Sequence, residues 1–259
     1  MRPLLRRLLL AVAAASLLTG CAAPADRETL YQVSTLPALL EGGYDGLVTV
    51  GELKSRGDFG LGTFDALDGE MIVLDGTVYQ ATADGRVRTA DDSTTVPFAA
   101  VTFFDPDETF VFESVSHIDN LETLLNACLP SPNLMYAIRI TGRFDYVKVR
   151  SVPRQSKPYP RLADVAARQP VFEHQDVSGT LVVLRLPDYM KGLNVAGYHF
   201  HFISDDRSIG GHVLDCRFTQ AAVAIDDTVT LHVDLPRGGD FLKADLATDR
   251  TGEVERIEK

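Results

Sequence analysis

From residue 47 onward the chain is dominated by short runs in which apolar and polar residues alternate, the period-two pattern of strands with one buried face. The clearest predicted hairpin joins Met71-Ile72-Val73-Leu74 to Thr77-Val78-Tyr79-Gln80 through Asp75-Gly76, a dipeptide that supplies both positive-φ positions of a tight turn. Residues 96–104 and 109–115 predict strands on either side of Asp105-Pro106-Asp107. Alternation returns over 136–152 through Ile138, Ile140, Phe144 and Val149, with Gly142 predicted at a turn. Further on, residues 179–186, 195–203, 212–219 and 229–235 are short predicted strands separated by turn residues, an antiparallel pattern.

Helical spacing is confined to a few short stretches. Residues 36–40 form a brief predicted helix stopped by Gly42-Gly43, and residues 117–128 place Ile118, Leu121, Leu125 and Cys128 on one apolar face before Pro130 and Pro132 end the pattern. Residues 160–168 and 249–258 predict two more, the last with Val254 and Ile257 on one face. The resulting expectation is an α+β fold of two mainly β halves, a mixed sheet followed by a smaller antiparallel sheet, with a few short helices. Residues 151–160 carry three prolines and mark the predicted boundary, giving an N-terminal half over 35–152 and a C-terminal half over 153–259.

The N-terminus follows different rules. Arg2, Arg6 and Arg7 precede an apolar run over 8–18 that ends in small residues, which predicts an export signal over residues 1–20. The run is too short to span a bilayer as a stable helix. Leu18-Thr19-Gly20-Cys21 resembles the lipobox of bacterial lipoproteins, in which the cysteine is acylated. Cys21 is then the lipidation site and residues 21–34 the lipidated cysteine and its tether. This predicts an exported lipoprotein facing the periplasm or cell exterior and touching the membrane through its lipid alone; the competing reading is a plain secretory signal with a chance cysteine. Cys128 and Cys216 remain, and the apolar setting of Cys128 favours a buried free thiol over a disulfide.

The 259 residues are 45% hydrophobic and 24% charged, ordinary values for a folded globular chain. Net charge is −11, with acidic residues spread along the chain and no basic stripe, which excludes nucleic acid as a natural partner.

Candidate chemistry concentrates in Gly197-Tyr198-His199-Phe200-His201-Phe202-Ile203. On a strand, period two puts His199 and His201 on one face and the aromatic residues on the other. A hairpin centred near Asp206-Arg207 brings His212 opposite His201, where paired Cβ atoms stand about 5 Å apart. Three neutral nitrogen ligands without cysteine suit Zn2+, and three protein ligands leave coordination positions free for a reacting molecule. His117, His174 and His232 fall outside this group and predict a helix end, a loop and a strand surface.

Three blocks carry a resemblance to a known family: GDFGLGTFDALDGEMIVLDG over 57–76, RSVPRQSKPYPRL over 150–162 and GYHFHFISDDRSIGGHVLD over 197–215, with MYAIRITG over 135–142 between them. Together they resemble the acetolactate decarboxylases, in family order along nearly the whole mature chain. The resemblance implies conversion of 2-acetolactate to acetoin and CO2, with zinc on His199, His201 and His212 as electron sink for an enediolate. It also implies active-site roles for Thr63, Glu70 and Arg150, a C-terminal glutamate at Glu258 (with Glu255 and Glu253 as neighbours in the same tail), and homodimers as a common assembly. The rival reading is a non-catalytic periplasmic metal-binding lipoprotein, which has no need of Glu70 and Arg150 beside the histidines. A zinc hydrolase is disfavoured because no helical HExxH arrangement is present.

Overall fold

Strand pairing sorts the chain into two main sheets. The computed structural model describes residues 27–258, so the export signal and Cys21 lie outside the described residues. In chain order the elements are β1 (Thr29–Val33), α1 (Leu36–Leu40), β2 (Val48–Thr49), α2 (Val50–Lys54), β3 (Phe59–Thr63), β4 (Glu70–Leu74), β5 (Thr77–Ala81), β6 (Val87–Thr89), β7 (Thr95–Val96), β8 (Phe98–Thr102), β9 (Glu108–Val115), α3 (Ile118–Cys128), β10 (Met135–Arg150), α4 (Leu162–Ala166), β11 (Val171–Leu186), β12 (Gly197–Ser204), β13 (Gly210–Thr228), β14 (Thr230–Asp234) and α5 (Thr251–Glu258). Among the described residues no helix is long and apolar enough to cross a membrane.

The first sheet runs β14-β1-β8-β3-β4-β5-β6 and is mixed, because β1 and β14 are parallel while its other pairs are antiparallel. The second runs β10-β11-β12-β13-β9, all antiparallel, and β10 also pairs with β13, so β10 to β13 close on themselves. This is the α+β arrangement of a mixed sheet and a smaller antiparallel one with short helices. The sheets do not part at residue 152: the first takes β14 from the end of the chain, and the second takes β9 and β10 from before the proline-rich connector.

Inside the closed strands, Phe144 meets Phe202 and Phe218 edge-on, with ring centroids 5.2 and 5.5 Å apart, in the preferred geometry for aromatic pairs. Leu181 and Val183 point into this core, while Val182 and Leu184 point the other way onto Leu61 and Ile72 of the first sheet. Burial on both faces explains why residues 181–184 read as an unbroken apolar run. The site lies along this seam between the sheets.

Four local expectations need correction. Gly142 is no turn: β10 runs straight through it, paired with Gly179 and Ala221, and a Cβ there would stand 3.0 Å from the Ala221 side chain. The glycine permits close approach of strands. His174 sits on β11 opposite Val147, not in a loop. Residues 29–33, expected as tether, form β1, because Leu30, Tyr31 and Val33 are buried in the first sheet. Residues 50–54, expected to be strand, form α2, started by a reciprocal capping box between Thr49 and Glu52. Cys128 and Cys216 are both free, as expected, although Cys128 is only partly buried.

Candidate active site

The hairpin between β12 and β13 builds the centre of the site. Tyr198, Phe200 and Phe202 pack with the barrel core, so period two turns His199 and His201 outward toward the first sheet. The connecting turn is held by Ser204, whose hydroxyl donates to Asp206 Oδ1 at 2.6 Å and accepts from the Ser208 and Ile209 amides at 3.1 and 2.9 Å. That turn fixes the register in which His201 and His212 are direct partners. Arg150, the last residue of β10, is in turn the direct partner of His212, so Arg150, His212 and His201 form a row across three strands. Gly211 is required beside this row, since a Cβ there would lie 2.4 Å from the Arg150 carbonyl oxygen.

The potential ligating nitrogens of His199, His201 and His212 lie within 4.8 Å of one another. Their protons follow from their partners. His201 Nδ1 lies 2.7 Å from the Met71 carbonyl, which only accepts, so Nδ1 carries the hydrogen and Nε2 keeps its lone pair. His212 Nε2 faces the Glu258 carbonyl at 3.3 Å by the same logic, leaving Nδ1 as an acceptor 3.1 Å from His199 Nε2. Burial pushes all three imidazoles down, helped by the Arg150 charge; His199 falls to about 3. All three are therefore neutral at pH 7, the form that binds metal. His201 Nε2 has no hydrogen-bond partner, and a divalent ion held by the trio is what would satisfy it. The donor set thus fits a metal, with nitrogen chemistry that suits zinc among others.

Around the trio stand the other predicted residues. Glu70 at the start of β4 pairs with Thr63 at the end of β3. Arg150 Nη1 donates to Glu70 Oε1 at 2.6 Å, and Glu70 Oε2 lies 3.6 Å from His201 Nε2. Both partners of this ion pair are buried, with side-chain exposures of 6% and 8%. Burial pushes the Glu70 carboxyl up to about 7 against the pull of Arg150, with nearby Glu258 adding to the rise. Glu258 is pushed up by burial in the same way, again opposed by Arg150. The Thr63 hydroxyl donates to the Gly69 carbonyl at 2.7 Å, which leaves its oxygen free to accept.

Glu258 arrives on α5. Its Oε2 lies 3.4 Å from His199 Nε2 and 3.6 Å from His212 Nδ1. The other tail glutamates point elsewhere: Glu253 pairs with Arg161, and Glu255 lines an outer cleft. A cavity of about 40 Å3 is bounded on its polar side by Thr63, Glu70, Arg150, His199 and Glu258, and on its apolar side by residues that include Leu36, Leu39, Leu67 and Leu162. Glu258 also borders the outer cleft, of about 560 Å3, between α3, β12 and α5. Every predicted site residue within the described span therefore converges here. His117 caps α3, and His232 lies half-exposed on β14, both as expected. Sequence reasoning missed the Met71 and Ile257 carbonyls, which hold His201 and Arg150; backbone acceptors leave no residue-type signal.

The profile of the alpha-acetolactate decarboxylases matches residues 30–248. The alpha-acetolactate decarboxylase of Methanosarcina mazei is 51% identical over 232 residues, covering 90% of this chain and 81% of that protein. The Methylococcus capsulatus protein of the same name is 47% identical, covering 90% and 89%. The crystal structure of alpha-acetolactate decarboxylase from Bacillus subtilis strain 168 superposes with a TM-score of 0.86 at 39% identity, over 89% of this chain and 98% of that one. With sequence and fold agreeing over nearly all of the described residues, the chain belongs to the alpha-acetolactate decarboxylase family.

Proposed function

We propose that the protein decarboxylates 2-acetolactate to acetoin and CO2, with a zinc ion held by His199, His201 and His212. The observation that carries this reading is the buried Arg150–Glu70 pair beside three neutral imidazoles and Glu258, with Glu70, Arg150, His199 and Glu258 lining one cavity. A protein that only stored metal would have no use for a guanidinium and two carboxyls with raised pKa at that point. When bound, the metal supplies Lewis-acid withdrawal of the electron pair left behind by CO2.

The chain supplies the rest. Arg150 spends Nη1 on Glu70, makes only a long 3.4 Å contact from Nη2 to the Ile257 carbonyl and has no partner at Nε, so it retains donors for the substrate carboxylate. Glu70 fixes the plane of that fork. Thr63 accepts the substrate hydroxyl, and the leucine wall shelters its methyl groups and excludes water. The C–C bond breaks with its electrons moving toward the adjacent carbonyl. Glu258 then delivers one proton to the carbon, on the face that it occupies, giving a single acetoin enantiomer. Its position on both cavity and outer cleft lets Glu258 regain that proton from solvent. The purified chain is expected to form acetoin from acetolactate, to stop when a strong chelator removes its metal, and to resume with added zinc. Full turnover by protein shown to be metal-free would eliminate this mechanism.

We propose further that the protein is exported and lipidated at Cys21, on the support of Arg2, Arg6 and Arg7, the apolar run after them and Leu18-Thr19-Gly20-Cys21. Blocking lipoprotein signal peptidase with globomycin should make an unprocessed precursor accumulate; processing indifferent to the inhibitor would rule lipidation out.

A further inference from the structure

Helix α5 has little to hold it by packing. It is eight residues long, below the length at which an isolated helix persists in water, and Ile257 is its only buried side chain. Val254 is partly buried against the same cluster. Burying one isoleucine does not offset the ordering of eight residues. Yet this helix carries Glu258 to within 3.4 Å of His199.

Four charges brace its entry. Glu41 caps the C-terminal end of α1, Arg161 is the N-cap of α4, Arg250 immediately precedes α5, and Glu253 lies in its first turn. Arg250 Nη2 stands 2.6 Å from Glu41 Oε1, and Arg161 Nη2 is 3.2 Å from the same oxygen. Arg161 Nη2 also reaches Glu253 Oε2 at 2.8 Å, and Arg250 Nη1 approaches that oxygen at 3.7 Å. Each arginine thus bridges both glutamates, in a closed ring of two positive and two negative charges. Arg250, Glu253 and Glu41 are only 15%, 12% and 20% exposed, so solvent and salt screen the ring less than a surface pair. The three helices it joins are those that place Leu36, Leu39, Leu162 and Glu258 around the cavity.

We infer that Glu41, Arg161, Arg250 and Glu253 are positioning residues: their ring clamps α5 to α1 and α4 and thereby sets the Glu258 carboxyl against the histidine trio. The inference rests on the proposed role of Glu258 as proton donor. Glu253 and Glu258 lie five residues apart, on different sides of the helix, so the clamp grips one side while the other faces the site. A small tilt at Glu253 is carried along the helix to the carboxyl, where a misplacement of about 1 Å costs on the order of 100-fold in rate.

The test is a double-mutant cycle in the full-length, zinc-loaded protein. Arg250→Met should lower kcat by about 10- to 100-fold with KM nearly unchanged, since Thr63, Arg150 and the histidines, which hold the polar groups of the substrate, sit on strands that the ring does not touch. Arg250→Lys should recover part of the loss. In a Glu258→Gln background Arg250→Met should cost nothing further, because its effect runs through the missing acid. Independently of activity, amide exchange should quicken over residues 251–258 and stay unchanged in β12 and β13. Arg161→Met, more exposed, is the second variant and should behave alike. An undiminished kcat in both variants, or an equal loss in both Glu258 backgrounds, would overturn the clamp. If Glu258→Gln itself left kcat intact, the proton-donor reading would fall instead.

Discussion

Replacing His199 and His201 together by alanine should strip the protein of its metal and lower turnover by more than about 10³-fold, given that losing a mere outer partner of a metal ligand costs 10- to 100-fold. Two of the three converging nitrogens disappear, and His212 alone offers no chelate. The fold should survive, because Tyr198, Phe200 and Phe202 on the opposite face of the strand keep the barrel core intact. Stability should fall by only about 1–3 kcal/mol, the cost of leaving the Met71 carbonyl without the His201 donor. Metal content by elemental analysis, acetoin formation and a denaturation curve report the three effects separately. Wild-type turnover in a folded, metal-free double variant would refute the ligand assignment.

Arg150→Ala should leave the metal content intact and reduce kcat/KM by about 10²-fold or more, the scale of losing one preorganised charge partner of a transition state. It should also destabilise the protein, because Glu70 is left buried without its counter-charge. Breaking a buried pair costs about 3–5 kcal/mol, an upper bound here because the Glu70 carboxyl, already raised to about 7, can take up a proton instead. Arg150→Lys should not rescue turnover, since an ammonium lacks the planar fork that holds Glu70 on one arm and presents fixed donors to a substrate carboxylate on the others. Steady-state kinetics beside metal analysis decides the matter. Unchanged kinetics in the alanine variant would remove Arg150 from the mechanism.

The histidine trio was legible because it needs only local rules. Alternation sets the face of His199 and His201, and a short turn sets the partner of His201. The positions of Thr63, Glu70, Arg150 and Glu258 were reached by family resemblance, and geometry could not have supplied them: Arg150 and Glu70 are 80 residues apart and Glu258 reaches the site only because α5 folds back. The same division holds for the fold. The hairpin at Asp75-Gly76 forms as its turn chemistry dictates. In contrast, β13 extends over 19 residues where eight were expected, because pairing with β10 and β9 carries it past its polar stretch. Gly142 looked like punctuation and proved to be a point of close approach between paired strands, a distinction that depends on neighbours remote in sequence.

Arg150, His212 and His201 stand side by side as direct partners on three neighbouring strands, so their spacing is that of the strands themselves. The conformational freedom that must vanish before three imidazoles can converge is lost when these strands pair during folding. An arriving cation therefore meets a preorganised socket, and its affinity is not eroded by ordering the backbone that carries its ligands.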